Sequence, residues 1–159
     1  PETLTANRYP GLIVLRSLTK LWSMPGVRAG YAVGEAAVLA DMREHQPPWS
    51  VSTPGLAAVV ATSGSTALAE QERRAQRVTA ERRVLVDGLT ELGIRVIDSQ
   101  APFVLAQLGH GTHARLRDAG IALRRADTFP GLDDTWARIA VREATATRHL
   151  VTTLRTFTK

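Results

Sequence analysis

The 159-residue sequence predicts an α/β chain: two strands followed by helices, then a small α/β or α+β unit in which short strands and helices alternate. Three observations carry that reading. Short β-branched and leucine-rich runs recur, bounded by Gly and Pro. One long stretch instead spaces Leu68, Val78, Leu85, Val86 and Leu89 at helical intervals among many charges. Hydrophobic residues make up 44% of the chain, enough for a substantial core and too many for a disordered one.

In order, after a polar opening, residues 11–18 (GLIVLRSL) read as a buried strand, with Lys20 just past its end. The Pro25-Gly26 pair makes 21–26 a loop, and 27–33 (VRAGYAV) a second strand. Helices follow at about 35–45 and 54–63, separated by the breaker Gln46-Pro47-Pro48. Residues 65–92 form one long amphipathic helix with Ser65 or Thr66 as N-cap and Gly93 as its stop. Beyond it, strands are expected at 94–97, 103–107, 121–124 and 136–141, with helices near 112–119 and 145–157. The change of pattern places a domain boundary at about residue 65, giving regions 1–65 and 66–159.

Charge and cysteine content narrow the function classes. There is no cysteine, which excludes a disulfide framework and thiolate metal sites and fits a reducing, cytoplasmic setting. No run of eighteen apolar residues occurs and Pro1-Glu2-Thr3 carries no leader pattern, so a soluble protein without a membrane partner is expected. The net charge of +5 could attract nucleic acid, but Arg73, Arg74, Arg77, Arg82 and Arg83 are interleaved with Glu70, Glu72 and Glu81. That alternation reads as a solvated helix face, and no nucleic-acid partner is expected. His45, His110, His113 and His149 read as loop residues with neither a metal-ligand pattern nor a supporting carboxylate. Ser23 and Ser63 lack the context of a nucleophile elbow. Trp22 reads either as packing beneath the loop after Lys20 or as a core anchor.

Of the twenty basic residues only Lys20 and Lys159 are lysine. A lysine retained inside an apolar-flanked segment, in a chain that otherwise uses arginine, suggests chemistry that guanidinium cannot do. An amine can form an imine; guanidinium is too basic. Residues 17–30 read Ser-Leu-Thr-Lys-Leu-Trp-Ser-Met-Pro-Gly-Val-Arg-Ala-Gly. Hydroxyls at Ser17 and Thr19 and the guanidinium of Arg28 can build an anion site beside that amine.

This segment resembles the lysine signature of class I aminotransferases, in which Ser or Gly, a short residue, Lys and then Gly-x-Arg-x-Gly stand at these spacings; every constrained position is filled. The resemblance implies the class I/II aminotransferase family, a fold-type-I transferase, and pyridoxal 5'-phosphate as cofactor. Lys20 would bond the cofactor, and Ser17, Thr19 and Arg28 would hold its phosphate. The piece Trp136-Ala-Arg-Ile-Ala-Val is similar to the strand on which these enzymes carry the arginine that grips the substrate carboxylate, which would be Arg138.

The wider likeness is to the histidinol-phosphate aminotransferase branch. Within it Arg124, Asp127, Phe129-Pro-Gly-Leu-Asp133 and Arg138-Ile-Ala-Val-Arg142 look most like L-threonine-O-3-phosphate decarboxylases and aminotransferase-like proteins of cobalamin biosynthesis. Histidinol-phosphate enzymes usually have glycine where Arg142 stands. Both groups handle phosphate monoesters, so Arg124, Arg125 and Arg142 are candidates for the substrate phosphate, or else solvated strand-end cations.

The resemblance spans nearly the whole chain but only the C-terminal part of a family member: the end of the large domain plus the small C-terminal α/β domain. An acidic residue for the pyridine nitrogen, an asparagine and a glycine-containing phosphate turn are then expected in a missing N-terminal part, and this stretch alone is expected to be inactive. A homodimer is implied. The expected substrate is a phosphate-bearing amino acid or amine, with decarboxylation of threonine phosphate and transamination of histidinol phosphate as competing reactions. A non-catalytic assembly domain is the alternative of another class.

Overall fold

In the computed structural model residues 4–6 and 9–157 are described; Pro1-Glu2-Thr3 and Lys159 lie outside them. The chain divides into two units, Pro1–Arg74 and Ala75–Lys159.

In the first unit β1 (Ile13–Ser17) pairs antiparallel with β2 (Gly30–Gly34), in register from Ile13↔Gly34 to Ser17↔Gly30. A single helical turn, α1 (Leu18–Leu21), and a 3-10 turn over Pro25–Val27 fill the connection between them. The first strand is not the buried run expected. Leu15 is 74% exposed, and burial is concentrated in Leu18, Thr19 and Ala29 beyond the strand ends. Two paired strands leave alternate side chains uncovered, so an apolar run does not by itself ensure burial. The second strand starts three residues later than expected because Pro25, with its fixed φ, opens the 3-10 turn and Arg28 adopts a left-handed conformation (φ 53°).

Helix α2 (Ala36–Glu44) ends at the expected proline breaker, and α3 (Thr53–Ala61) is capped by Ser52, whose Oγ accepts from the Gly55 amide at 3.2 Å. The long helix α4 (Ser65–Thr90) runs through the division between units. Its cap is neither Ser65 nor Thr66: the Gly64 carbonyl already accepts from the Leu68 amide (3.0 Å), so the N-cap is Gly64, a residue free to take the extended cap conformation. Ion pairs Glu70–Arg73, Glu70–Arg74, Arg77–Glu81 and Arg83–Asp87 lie along it at helical spacing, as a solvated face requires. The helix stops as expected. Gly93 turns left-handed (φ 72°), its amide donates to Thr90 O, and the Ile94 amide reaches back to Leu89 O.

The second unit is a four-stranded antiparallel sheet of β3 (Arg95–Ile97), β4 (Phe103–Gln107), β5 (Arg124–Arg125) and β6 (Trp136–Ala140) in the order β3-β4-β6-β5. Helices α5 (Thr112–Asp118) and α6 (Ala144–Phe157) complete it. Alternate residues Val104, Ala106 and Ile139 form the buried face of the sheet. Leu85 and Leu89 of α4, Leu116 of α5 and Leu150 and Leu154 of α6 join them in one core. Each fully buried leucine contributes about 2 kcal/mol. The strand expected at 121–124 shrinks to Arg124–Arg125. Ile121 instead closes α5, its amide donating to Leu116 O at 2.8 Å, while Ile121 and Leu123 pack on the core from a non-strand backbone.

Candidate functional site

Lys20 is the third residue of α1 and is exposed. Ser17 holds the N-cap position but does not cap the helix. Its Oγ lies 3.0 Å from Oγ1 of the buried Thr19, so the two hydroxyls are joined to each other. Ser17, Thr19, Arg28, Ala29, Gly30 and Tyr31 line one open concavity. Gly30 is required there, since a Cβ would stand 2.7 Å from the Arg16 carbonyl and force the two strands apart. Arg28 leaves the 3-10 turn left-handed and exposed, and one of its terminal nitrogens donates to Pro25 O at 3.2 Å. Three of the expected cofactor-holding residues thus face one concavity, and Lys20 follows Thr19 on the same turn. Two hydroxyls and a guanidinium are donors suited to a phosphate monoester, and an exposed primary amine suits an aldehyde, so the residues present fit pyridoxal phosphate.

Just after the lysine, Trp22 is covered from α4. The Arg74 guanidinium stands 4.7 Å from the ring centroid and donates to Leu21 O at 3.4 Å. Glu70 orients it, with Nε to Oε1 at 2.7 Å; hydrogen bonds from Arg74 and then Arg73 hold the Glu70 carboxyl below its ordinary value. Trp22 Nε1 is buried with no protein partner, a state that costs about 1–3 kcal/mol. No local sequence signal could reveal this contact, because Arg74 and Leu21 are 53 residues apart.

In the second unit Arg138 of β6 and Arg124 of β5 are register partners and share the face of the sheet opposite the core. The Arg138 guanidinium lies 4.6 Å from the Phe103 ring and that of Arg124 lies 5.5 Å from Phe129. Arg125 is engaged elsewhere, in an ion pair with Asp127 that lowers the Asp127 carboxyl and raises the guanidinium. Arg142 lies exposed past the end of β6, and its carbonyl accepts from the Thr147 hydroxyl at 3.4 Å.

The histidine reading needs correction. His113 lies in α5 and His149 in α6, not in loops; the helical spacing of their neighbours prevails, at His113 in spite of the nearby Gly111. His110 does have a carboxylate: its Nδ1 stands 2.9 Å from Asp134, which raises its pKa, and the contact joins residues 24 positions apart. The Thr135 hydroxyl and amide hold the neighbouring Asp133 carboxyl below its ordinary value. Among the described residues there is no cluster of three potential metal ligands, and no helix is long and apolar enough to cross a membrane.

Comparison with known proteins adds to this geometry. The family model described as aminotransferase class I and II matches residues 2–154. A histidinol-phosphate aminotransferase of Mycobacterium tuberculosis is 42% identical over 144 residues, 89% of this chain and 40% of the relative. Threonine-phosphate decarboxylase of Salmonella typhimurium is 32% identical over 154 residues, 92% of this chain and 41% of the relative. Among solved structures, a histidinol-phosphate aminotransferase from Clostridium acetobutylicum superposes with a TM-score of 0.81 at 26% identity, covering 92% of this chain and 46% of that one. The chain spans about two-fifths of the length of the curated relatives it matches.

Proposed function

This chain belongs to the aminotransferase class I and II family and has its fold-type-I architecture; from that membership we propose that it is the C-terminal portion of a pyridoxal-phosphate-dependent enzyme acting on a phosphate-bearing amino acid or amine. The observation that carries the reading is the concavity lined by Ser17, Thr19 and Arg28 on the turn that bears Lys20. When bound, the cofactor supplies an electron sink for charge developing at the substrate α-carbon. Ser17, Thr19 and Arg28 would hold its phosphate, Lys20 would carry it through its side-chain amine, and in transamination the Lys20 Nζ would take and return the substrate α-proton. Arg138 pairs through its fork with the substrate carboxylate, and Arg124 and Arg142 are the candidates for the substrate phosphate.

Residues 1–65 form the end of the cofactor-binding domain and 66–159 the small domain in this reading. A preceding part of the enzyme supplies the partner of the pyridine nitrogen, and the enzyme works in the cytoplasm as a homodimer. Two reactions compete, each with its own support. Arg142, in place of the glycine usual in histidinol-phosphate enzymes, favours decarboxylation of threonine phosphate, with the setting in cobalamin biosynthesis that this resemblance implies. The 42% identity to proteins named histidinol-phosphate aminotransferase favours transamination.

The test is borohydride reduction of the full-length protein loaded with pyridoxal phosphate, followed by peptide mapping. A pyridoxyl group on Lys20 is expected, and its absence overturns the assignment in favour of a non-catalytic domain. Carbon dioxide release from threonine phosphate, set against keto-acid-dependent consumption of histidinol phosphate, separates the two reactions.

A further inference from the structure

Lys20 presents an exposed side chain from a helix of one turn, so the direction of its amine depends on how firmly that turn is held. A single turn does not hold itself, because nucleating a helix fixes several dihedrals for one hydrogen bond. The local bonds are few: Trp22 N to Leu18 O (3.1 Å), Met24 N to Thr19 O (3.0 Å) and Ser23 N to Lys20 O at a long 3.4 Å. Leu18 and Thr19 anchor the turn by burial at its start. At its other end lie Leu21 and Trp22, and both are contacted by one side chain, Arg74.

We infer that Arg74 is a positioning residue for Lys20: its guanidinium, set by Glu70, closes over the Trp22 ring and the Leu21 carbonyl and fixes the turn from which the lysine reaches the cofactor. The inference rests on the cofactor role proposed for Lys20. Leu21 O belongs to the last carbonyls of the turn, which lack partners within the helix, and a charged donor is well suited to it. The 3.4 Å separation is at the long end for a hydrogen bond, so the cation–π contact with the Trp22 ring, 4.7 Å to its centroid, carries more of the interaction. Glu70 bonds Arg74 through Nε, leaving the terminal nitrogens and the planar face for the turn. Lysine could replace the charge at position 74 but neither the plane nor the fork.

The test uses the full-length protein as wild type, Arg74→Met, Arg74→Lys and Glu70→Gln. Methionine keeps the apolar stem and removes only the guanidinium. Hydrogen exchange without cofactor reads the turn directly. In R74M the amides of 18–24 are expected to exchange faster while those of Phe103–Gln107 stay unchanged. With pyridoxal phosphate, R74M is expected to bind it about tenfold more weakly and to lose visible circular dichroism, with R74K recovering neither. Wild-type exchange in R74M, or faster exchange with unaltered cofactor binding, overturns the inference. Should R74M fail to fold, E70Q decides: a smaller shift in the same direction supports the clamp, and no shift overturns it. If the wild type itself takes no pyridoxyl label at Lys20, the cofactor assignment falls and this inference with it, a result distinct from a labelled wild type that matches R74M.

Discussion

In the carboxylate-binding role proposed for Arg138, the choice of side chain matters more than its charge. Its guanidinium is held half-buried over Phe103 and beside Arg124, so Arg138→Lys should leave the sheet intact while losing the two parallel donors a carboxylate needs. The expected outcome is a rise in KM for the carboxylate-bearing substrate of about tenfold to a hundredfold in the full-length enzyme, read by steady-state kinetics. His110 offers a pH test. Asp134 raises its folded-state pKa, so the pair stabilises the unit fully below the unfolded value and the contribution is lost as pH rises through the raised one. An NMR titration should find the His110 ring titrating above the ordinary histidine value, and Asp134→Asn should bring it back down. A titration unchanged by D134N would remove the pairing as the cause. Neither the pairing of His110 with Asp134 nor the contact of Arg74 with Leu21 and Trp22 could be assigned from sequence, because both join distant segments through side chains with ordinary neighbours. Lys20 and Arg28 could be singled out because their spacing is a local motif, which the structure sets on α1 and at the exit of the 3-10 turn that follows it.

Helix α4 shows what an element can and cannot reveal about itself. Its length and its stop were legible, because charge alternation and the apolar stripe are periodic and Gly93 is one of few residues that accept φ 72° without strain. No atom lies within 4 Å of a Cβ built there, so Gly93→Ala should cost only the left-handed backbone penalty, about 1 kcal/mol in urea unfolding. Leu89→Ala, in the same element but fully buried, should cost roughly 2–5 kcal/mol. If the two substitutions cost the same, the core assignment is wrong. The strand at Phe103–Gln107 was read to the residue because both its faces and its boundaries are marked. Residues 121–124 were misread because Ile121 and Leu123 are apolar for another reason: they staple the end of α5 to the core. Val27 misled similarly, as a β-branched residue placed in a 3-10 turn by its preceding proline.

Across the molecule, burial is uneven. The second unit owns the large cluster around Leu85, Leu89, Val104 and Ile139, whereas among the described residues of the first unit the buried ones are Leu18, Thr19, Ala29 and Gly55, with a single large apolar side chain. Slowest hydrogen exchange is therefore expected at the amides of β4 and β6, and faster exchange at β1 and β2; the reverse order would contradict the burial pattern. The three non-glycine residues with positive φ among those described are Ser23, Arg28 and Trp49, and all belong to the first unit. Two of them bracket the bend that follows Lys20. Arg28 holds a conformation that glycine would adopt with less strain, so a library of variants screened purely for heat tolerance should drift toward glycine at position 28. Such survivors would outlast their parent in the oven and lack the guanidinium proposed to grip the cofactor's anionic group.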